Sequence, residues 1–424
     1  MVNSHRKVHF IGIGGIGMSA LARYFLSEGW RVSGSDSSYS PITGKLEKEG
    51  VKIYIGKHSS NNLIPLIRAH KASNKVVYNQ AISKNNPELV AAKKAGIPCR
   101  SYPQAIGELT KKYKTIAIAG AHGKSTTTVM TALILIEAGL DPTVIVGTKL
   151  KEFGDSNFRR GKSPYLVLEA DEYGAAFLNY YPALSVVINL DKEHLDFYKN
   201  FSNIKKAFAQ FRKQSKKVVV AEKSPKILAE IRKVLKIPGD HNVYNASCAY
   251  AISQALNIPH AVIIKALGKF RGSWRRMEFR GYLNAKPYTL SAKVYDDYAH
   301  HPTEIKATLT AFRQNWPKKP LICVFQPHQA DRLKRLFSGF KTAFKAADKV
   351  IIIPAYKVAG RDEYFDKKYD AKALAGAIGA VYVKNPKKDL KRTLTLMVSG
   401  YTPDPIIVMM GAGNIVDYTD KLIK

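Results

Sequence analysis

The stretch Thr115–Met130 reads TIAIAGAHGKSTTTVM. An apolar run leads into a glycine turn, then Gly-Lys-Ser, then a threonine-rich segment that continues as STTTVMTALILIEAG. Strand, glycine turn and helix in that order make an anion cradle, because backbone N–H groups and the helix N-terminus point at one place. The common phosphate loop, G-x-x-x-x-G-K-[ST], would put a glycine at position 118, where isoleucine stands. Here position 118 lies in the strand and the turn begins at Gly120, so the loop is a shorter one. It predicts phosphate binding by Gly120, Ala121, His122, Gly123, Lys124, Ser125 and Thr126, with Lys124 on the terminal phosphates and the Ser125 hydroxyl on Mg²⁺.

Working outward, acids follow at the ends of the next apolar runs. YLVLEADEYGAAFL carries Glu169, Asp171 and Glu172, and LSVVINLDKEHLDFY runs on to His194 and Asp196. Ligands of open α/β sheets gather at the carboxyl ends of the strands, and Mg²⁺ takes oxygen donors. Upstream, KVHFIGIGGIGMSALARYFLSEGWRVSGSD reads as strand, glycine turn, helix, strand. Gly12, Gly14 and Gly17 fit G-x-G-x-x-G, and Asp36 ends the second strand. Alone, this is a dinucleotide fingerprint and favours an NAD-dependent dehydrogenase. Downstream, KVYDDYA, PLICVFQP, KVIIIPA and PIIVMMGAG form a third alternating set. The expectation is α/β throughout, in three domains: Rossmann-like over 1–110, a P-loop-type ATPase over 111–272, and Rossmann-like again over 273–424.

Composition narrows the class. A chain of 424 residues with 46% hydrophobic residues can fill several cores. No apolar run reaches the roughly 20 residues needed to span a bilayer, and the N-terminus has no secretory pattern. Cys99, Cys248 and Cys323 are too dispersed for a disulfide framework or a CxxC metal site. The expected location is the cytoplasm, with no membrane partner. The net charge of +34 raises nucleic acid as a partner. The lysines are scattered in singles and pairs without a nucleic-acid motif, so no specific nucleic-acid function is expected, and a basic field also attracts small anions.

Taken together, these motifs resemble the Mur ligases, ATP-dependent amino-acid ligases of peptidoglycan precursor synthesis. AGAHGKSTTT is similar to their short phosphate loop, EADEYGAAFL to their acidic motif, NLDKEHLDFY to their His-x-Asp motif and DHNVYNASCAYA to their His-Asn-x-x-Asn-Ala helix start. HFIGIGGIGMSALA, YNQAISKNNPE, WRRMEF, YDDYAHHPTEIKATL, FQPHQADRLKRLF and MGAGNI follow the order of the branch that joins L-alanine to UDP-N-acetylmuramate. A sister branch, which attaches a recycled tripeptide, is the alternative.

The resemblance implies ATP and Mg²⁺ as cofactors, UDP-N-acetylmuramate and L-alanine as substrates, and a monomer or homodimer. It reassigns Gly12, Gly14, Gly15, Gly17, Ser19 and Asp36 to the UDP-sugar. It implies Ser125, Glu169 and His194 as holders of one or two Mg²⁺, Asn242 and Asn245 on the adenine side, and Asp297 on the ribose. Arg276, with Arg275 as the other candidate, would reach the γ-phosphate. Lys124, Glu169, His194 and Arg276 would carry the chemistry, and Tyr298, His300, His328 and Arg332 would line the amino-acid site. The chain departs from the pattern at Gln329, where an arginine is usual, at Asn414 and Glu193 in place of aspartates, and at Ala20 in place of glycine. The segment from His194 to His241 is also short for the family.

Overall fold

A computed structural model describes residues 6–69, 73–284, 291–356, 366–399 and 401–423. The chain forms two compact units, one of residues 1–234 and 244–270, the other of residues 235–243 and 271–424.

The first unit holds two sheets. The first has strands β1 (Lys7–Ile11), β2 (Arg31–Asp36), β3 (Lys52–Ile55), β4 (Lys75–Tyr78) and β5 (Cys99–Ser101) in the order β3-β2-β1-β4-β5, all parallel. The order reverses between β1 and β4, the place where such sheets open a ligand crevice. The glycine turn after β1 lies there, with Asn79 N donating to Ile11 O. The second sheet has β6 (Lys114–Ala119), β7 (Thr143–Leu150), β8 (Ser156–Arg159), β9 (Tyr165–Glu169), β10 (Leu184–Val187) and β11 (Lys217–Val219). Its order is β11-β10-β6-β9-β7-β8, parallel except for β8, which runs antiparallel to β7. β6 is buried from Thr115 to Ala119, as a central parallel strand covered on both faces must be. One apolar core runs through both sheets, from Val8 and Phe10 to Phe177, Phe208 and Phe211.

The second unit holds β12 (Glu278–Asn284), β13 (Ser291–Asp297), β14 (Leu321–Phe325), β15 (Lys349–Ile352), β16 (Val381–Tyr382) and β17 (Ile406–Met410). Their order is β12-β13-β17-β14-β15-β16, with β12 alone antiparallel. β14 and β17 are buried along their whole length. Cores built on Phe312, Phe325 and Phe340, and on Ile322, Ile351 and Ile407, pack against the sheet. Among the described residues no helix is long and apolar enough to cross a membrane.

Candidate active site

The phosphate loop joins β6 to the helix Lys124–Glu137. Gly123 is that helix's N-cap at φ 84°. A β-carbon there would collide with Asn245 Oδ1, so both the backbone and the space require glycine. Asn245, expected near the adenine, stands against the loop itself. Asn189, just beyond β10, braces the turn from the other side. Its backbone carbonyl accepts from Ala121 N at 3.2 Å, its Oδ1 accepts from His122 N at 2.9 Å, and its Nδ2 donates to His122 O at 3.0 Å.

Lys124 Nζ donates to Gly120 O (2.8 Å) and Ala121 O (3.2 Å), and lies 2.8 Å from Glu172 Oε2. Ser125 Oγ donates to Glu169 Oε1 at 3.0 Å, and Glu169 Oε2 accepts from Gly147 N at 2.7 Å. Ser125 and Glu169 form one group. Asp171, Glu172 and His194 form a second: His194 Nε2 is 3.5 Å from Glu172 Oε1, and the donor atoms of the three lie within 4.8 Å of one another. Glu172 links the second group to Lys124, a role that sequence reading missed although the residue lies in the acidic run.

Burial governs the charges here. It lifts the Glu169 carboxyl above its ordinary range, against the pull of Lys124. Burial also opposes ionisation of Glu172, but Lys124 and His194 together outweigh it and hold that carboxyl below the usual range. Burial disfavours charge on Lys124 and His194 too, yet the surrounding carboxylates win and raise both. The site is thus a cluster of carboxylates, with Glu172 buried and Asp171 exposed, partly balanced by the Lys124 ammonium. A divalent cation fits it: the donors are carboxylate and hydroxyl oxygens with one imidazole, and the buried Glu172 oxygens are held by the charges of Lys124 and His194 without a hydrogen bond of good geometry.

At the first sheet, the Ser35 carbonyl accepts from Gly12 N (2.8 Å) and Ile13 N (3.1 Å), and Asp36 Oδ2 accepts from Gly14 N (2.8 Å). Asp36 thus braces the turn. Gly17 packs under Tyr102, whose ring a β-carbon would strike at 2.7 Å. The expectation for Ser19 is corrected. Its side chain is wholly buried, donating to Ile16 O at 2.9 Å and bonded to Asn157 Nδ2 of β8 at 3.1 Å. Its hydroxyl ties the glycine helix to the central sheet and is not offered to a diphosphate.

In the second unit, Asp297 and Asn242 are engaged within the fold. The Asp297 carboxylate is buried and accepts from Met277 N (2.9 Å), Ala299 N (2.9 Å) and Thr308 Oγ1 (3.3 Å), which makes it a turn anchor. Asn242 is buried with Nδ2 on Pro238 O at 2.7 Å. Of the paired arginines, Arg275 is buried, donates to Gly411 O and lies over Trp274 and Tyr298. Arg276 is partly exposed over Tyr298, with Nη1 3.9 Å from Glu304 Oε1.

The structure does gather Tyr298, His300, His328 and Arg332 at the strand ends. Ring centroids step from Tyr298 to His300 (5.4 Å), to His328 (6.0 Å) and to Tyr356, stacked at 5.7 Å. Arg332 Nη1 lies 3.4 Å from His328 Nδ1. Tyr356 and Glu304, the latter 3.2 Å from His300 Nδ1, were not picked out from sequence. Tyr356 is brought in by its bridge to His328 and carries no local signal, whereas Glu304 is local, four residues past His300 and the capping-box residue of the helix Pro302–Asn315. Asn414 Oδ1 accepts from Gln326 Nε2 at 3.0 Å, a bond an aspartate could also accept.

Known proteins share this arrangement. Residues 7–114 match "Mur ligase family, catalytic domain", residues 118–236 "Mur ligase middle domain", and residues 275–413 "Mur ligase, glutamate ligase domain". A UDP-N-acetylmuramate–L-alanine ligase of Aquifex aeolicus is 38% identical, covering 99% of this chain and 97% of that protein. The chain belongs to the Mur ligase family. A second Mur ligase of that name, from Acetivibrio thermocellus, is 36% identical over 100% of this chain and 96% of its own length. The crystal structure of the Thermotoga maritima UDP-N-acetylmuramate–alanine ligase superposes with a TM-score of 0.78 at 26% identity, covering 98% of both chains. The Aquifex alignment runs over 464 positions for a Mur ligase of 424 residues, so it opens gaps.

Proposed function

We propose that this chain joins L-alanine to the carboxylate of UDP-N-acetylmuramate, coupled to cleavage of ATP to ADP and phosphate. The observation that carries this reading is the Lys124–Glu172–His194 cluster beside the Ser125–Glu169 pair. Such a set of carboxylates, a lysine and a hydroxyl at a helix N-terminus suits phosphoryl transfer, and the full-length relatives of this chain bear that ligase name.

A carboxylate is a poor electrophile and must first be activated. One of its oxygens attacks the γ-phosphorus of ATP; the new O–P bond forms as the bond to the β-bridging oxygen breaks, and ADP leaves with the electron pair. The neutral amine of L-alanine then attacks the acyl carbon, the C–N bond forms, the nitrogen loses one proton to solvent, and phosphate departs with the C–O electron pair. Little covalent work falls to the protein, so positioning and charge neutralisation dominate. In this reading Lys124 and the N–H groups from Gly123 to Thr126 hold the phosphates, Arg276 adds positive charge, and Asn189, which takes the N–H groups of Ala121 and His122, keeps the loop in shape. Mg²⁺, held by Ser125 and Glu169 and by Glu172 with His194, would neutralise phosphate oxygens. Gly12, Gly14, Gly15 and Gly17 take the UDP-sugar, and Tyr298, His300, His328 and Arg332 take the amino acid.

The test is a mass-spectrometric product assay with Mg-ATP, UDP-N-acetylmuramate and a mixture of L-alanine, glycine, L-serine and the murein tripeptide. One alanine added, with ADP formed, is the expected result. A tripeptide adduct would move the chain to the sister branch, and no adduct from folded protein would overturn the reading.

A further inference from the structure

Glu88 is a fully buried carboxylate that plays no part in the chemistry above. It lies in the first turn of the helix Pro87–Lys94, whose N-cap Asn86 accepts from Glu88 N at 3.0 Å. Five donors converge on its two oxygens. Oε2 takes His9 Nε2 (3.0 Å) from β1 and Ser35 Oγ (2.7 Å) from β2. Oε1 takes His58 Nδ1 (3.2 Å), Ser59 N (3.3 Å) and Asn62 Nδ2 (2.7 Å) from the segment after β3. A carboxylate this deep costs desolvation that an apolar side chain would avoid, so it is a weak device for stability alone. It does fix geometry, because every partner must stand in one place.

That geometry bears on the glycine turn. Ser35, bonded to Glu88 through its hydroxyl, is the residue whose carbonyl takes the N–H groups of Gly12 and Ile13, and its neighbour Asp36 takes Gly14 N. Three successive N–H groups are thereby turned inward. We infer that Glu88 is a positioning residue for the UDP-sugar site, acting through Ser35 to set the glycine turn at the switch point of the first sheet. This rests on the proposal that the turn binds UDP-N-acetylmuramate.

The experiment is titration calorimetry of wild type, Glu88→Gln, Ser35→Ala and the double variant, with UDP-N-acetylmuramate and separately with ADP, alongside steady-state kinetics. Wild type that does not bind the UDP-sugar would overturn the site assignment itself. Given wild-type binding, Glu88→Gln is expected to weaken the UDP-sugar by about tenfold, raising its KM with kcat and the ADP affinity little changed. Ser35→Ala should give the same split, and the double variant should be no worse than Glu88→Gln, since both cut one chain of contacts. Unchanged sugar affinity in folded Glu88→Gln, or equal losses for sugar and ADP, would overturn the inference. If Glu88→Gln does not fold, Ser35→Ala decides alone: unchanged sugar binding there overturns it too.

Discussion

Lys124 Nζ lies 2.8 Å from Glu172 Oε2, and both side chains are largely buried. The ammonium closes over its own loop, held by Gly120 O and Ala121 O, with a carboxylate on its far side. Removing one member of a buried pair strands the other charge, at a cost of about 3–5 kcal/mol. Lys124→Ala should therefore lose stability as well as acyl-phosphate formation. The double variant Lys124→Met/Glu172→Gln should recover most of the stability and none of the activity. Chemical denaturation and a single-turnover assay would separate the two effects, and equal stability of both variants would count against the pairing.

Gly123→Ala should abolish ATP and ADP binding while leaving the UDP-sugar bound. The left-handed backbone costs an alanine about 1–2 kcal/mol, and the new methyl meets Asn245 Oδ1. Adding Asn245→Ala removes the collision but not the strain, so only partial recovery is expected by calorimetry.

The adjacent arginines should separate cleanly. Arg276→Ala should cut kcat by at least about a hundredfold with stability within about 0.5 kcal/mol of wild type. Arg275→Ala should cost about 2–3 kcal/mol of stability, because it leaves Gly411 O without its buried donor. The reverse pattern in a paired activity and unfolding series would reassign the γ-phosphate contact.

Acid should expose Glu88. Burial pushes its carboxyl up, but bonds from His9, Ser35 and Asn62 prevail and bring it down to about 2, from an ordinary 4.5. A depressed folded value contributes stability above the unfolded one and loses it as pH falls toward the folded one. The stability gap between wild type and Glu88→Gln should hold above pH 4.5, shrink below it, and close near about 2. Urea midpoints across that range check it; a gap that does not shrink would place the effect elsewhere.

Gln329 begins the helix Ala330–Arg335 at φ 67° and ψ 122°, a conformation that suits glycine. Gln329→Gly should raise stability by about 1 kcal/mol. A fall in the thermal midpoint would show that the side chain supports the turn by contacts that outweigh its strain.

Much of the phosphate loop was legible before any coordinates, because its chemistry lies in contiguous residues. Strand, turn and helix are local, and Gly123, Lys124 and Ser125 are adjacent in sequence. The acidic runs were legible for the same reason: open sheets present strand ends to the ligand. Sequence order also carried the family, since the motifs recur in register along the whole chain.

Which members of each motif face the site, and which are used up inside the fold, was decided only by tertiary packing. Ser19, Asn242 and Asp297 stand in motifs yet spend their polar atoms on Asn157, Pro238 and Met277. Glu172 rather than Glu169 meets Lys124, and Arg276 rather than Arg275 keeps its exposure. Motif spacing fixes where the backbone passes. A side chain's burial and partners depend on strands and helices far away in sequence, and a polar atom takes whichever donor or acceptor the folded core brings within about 3 Å.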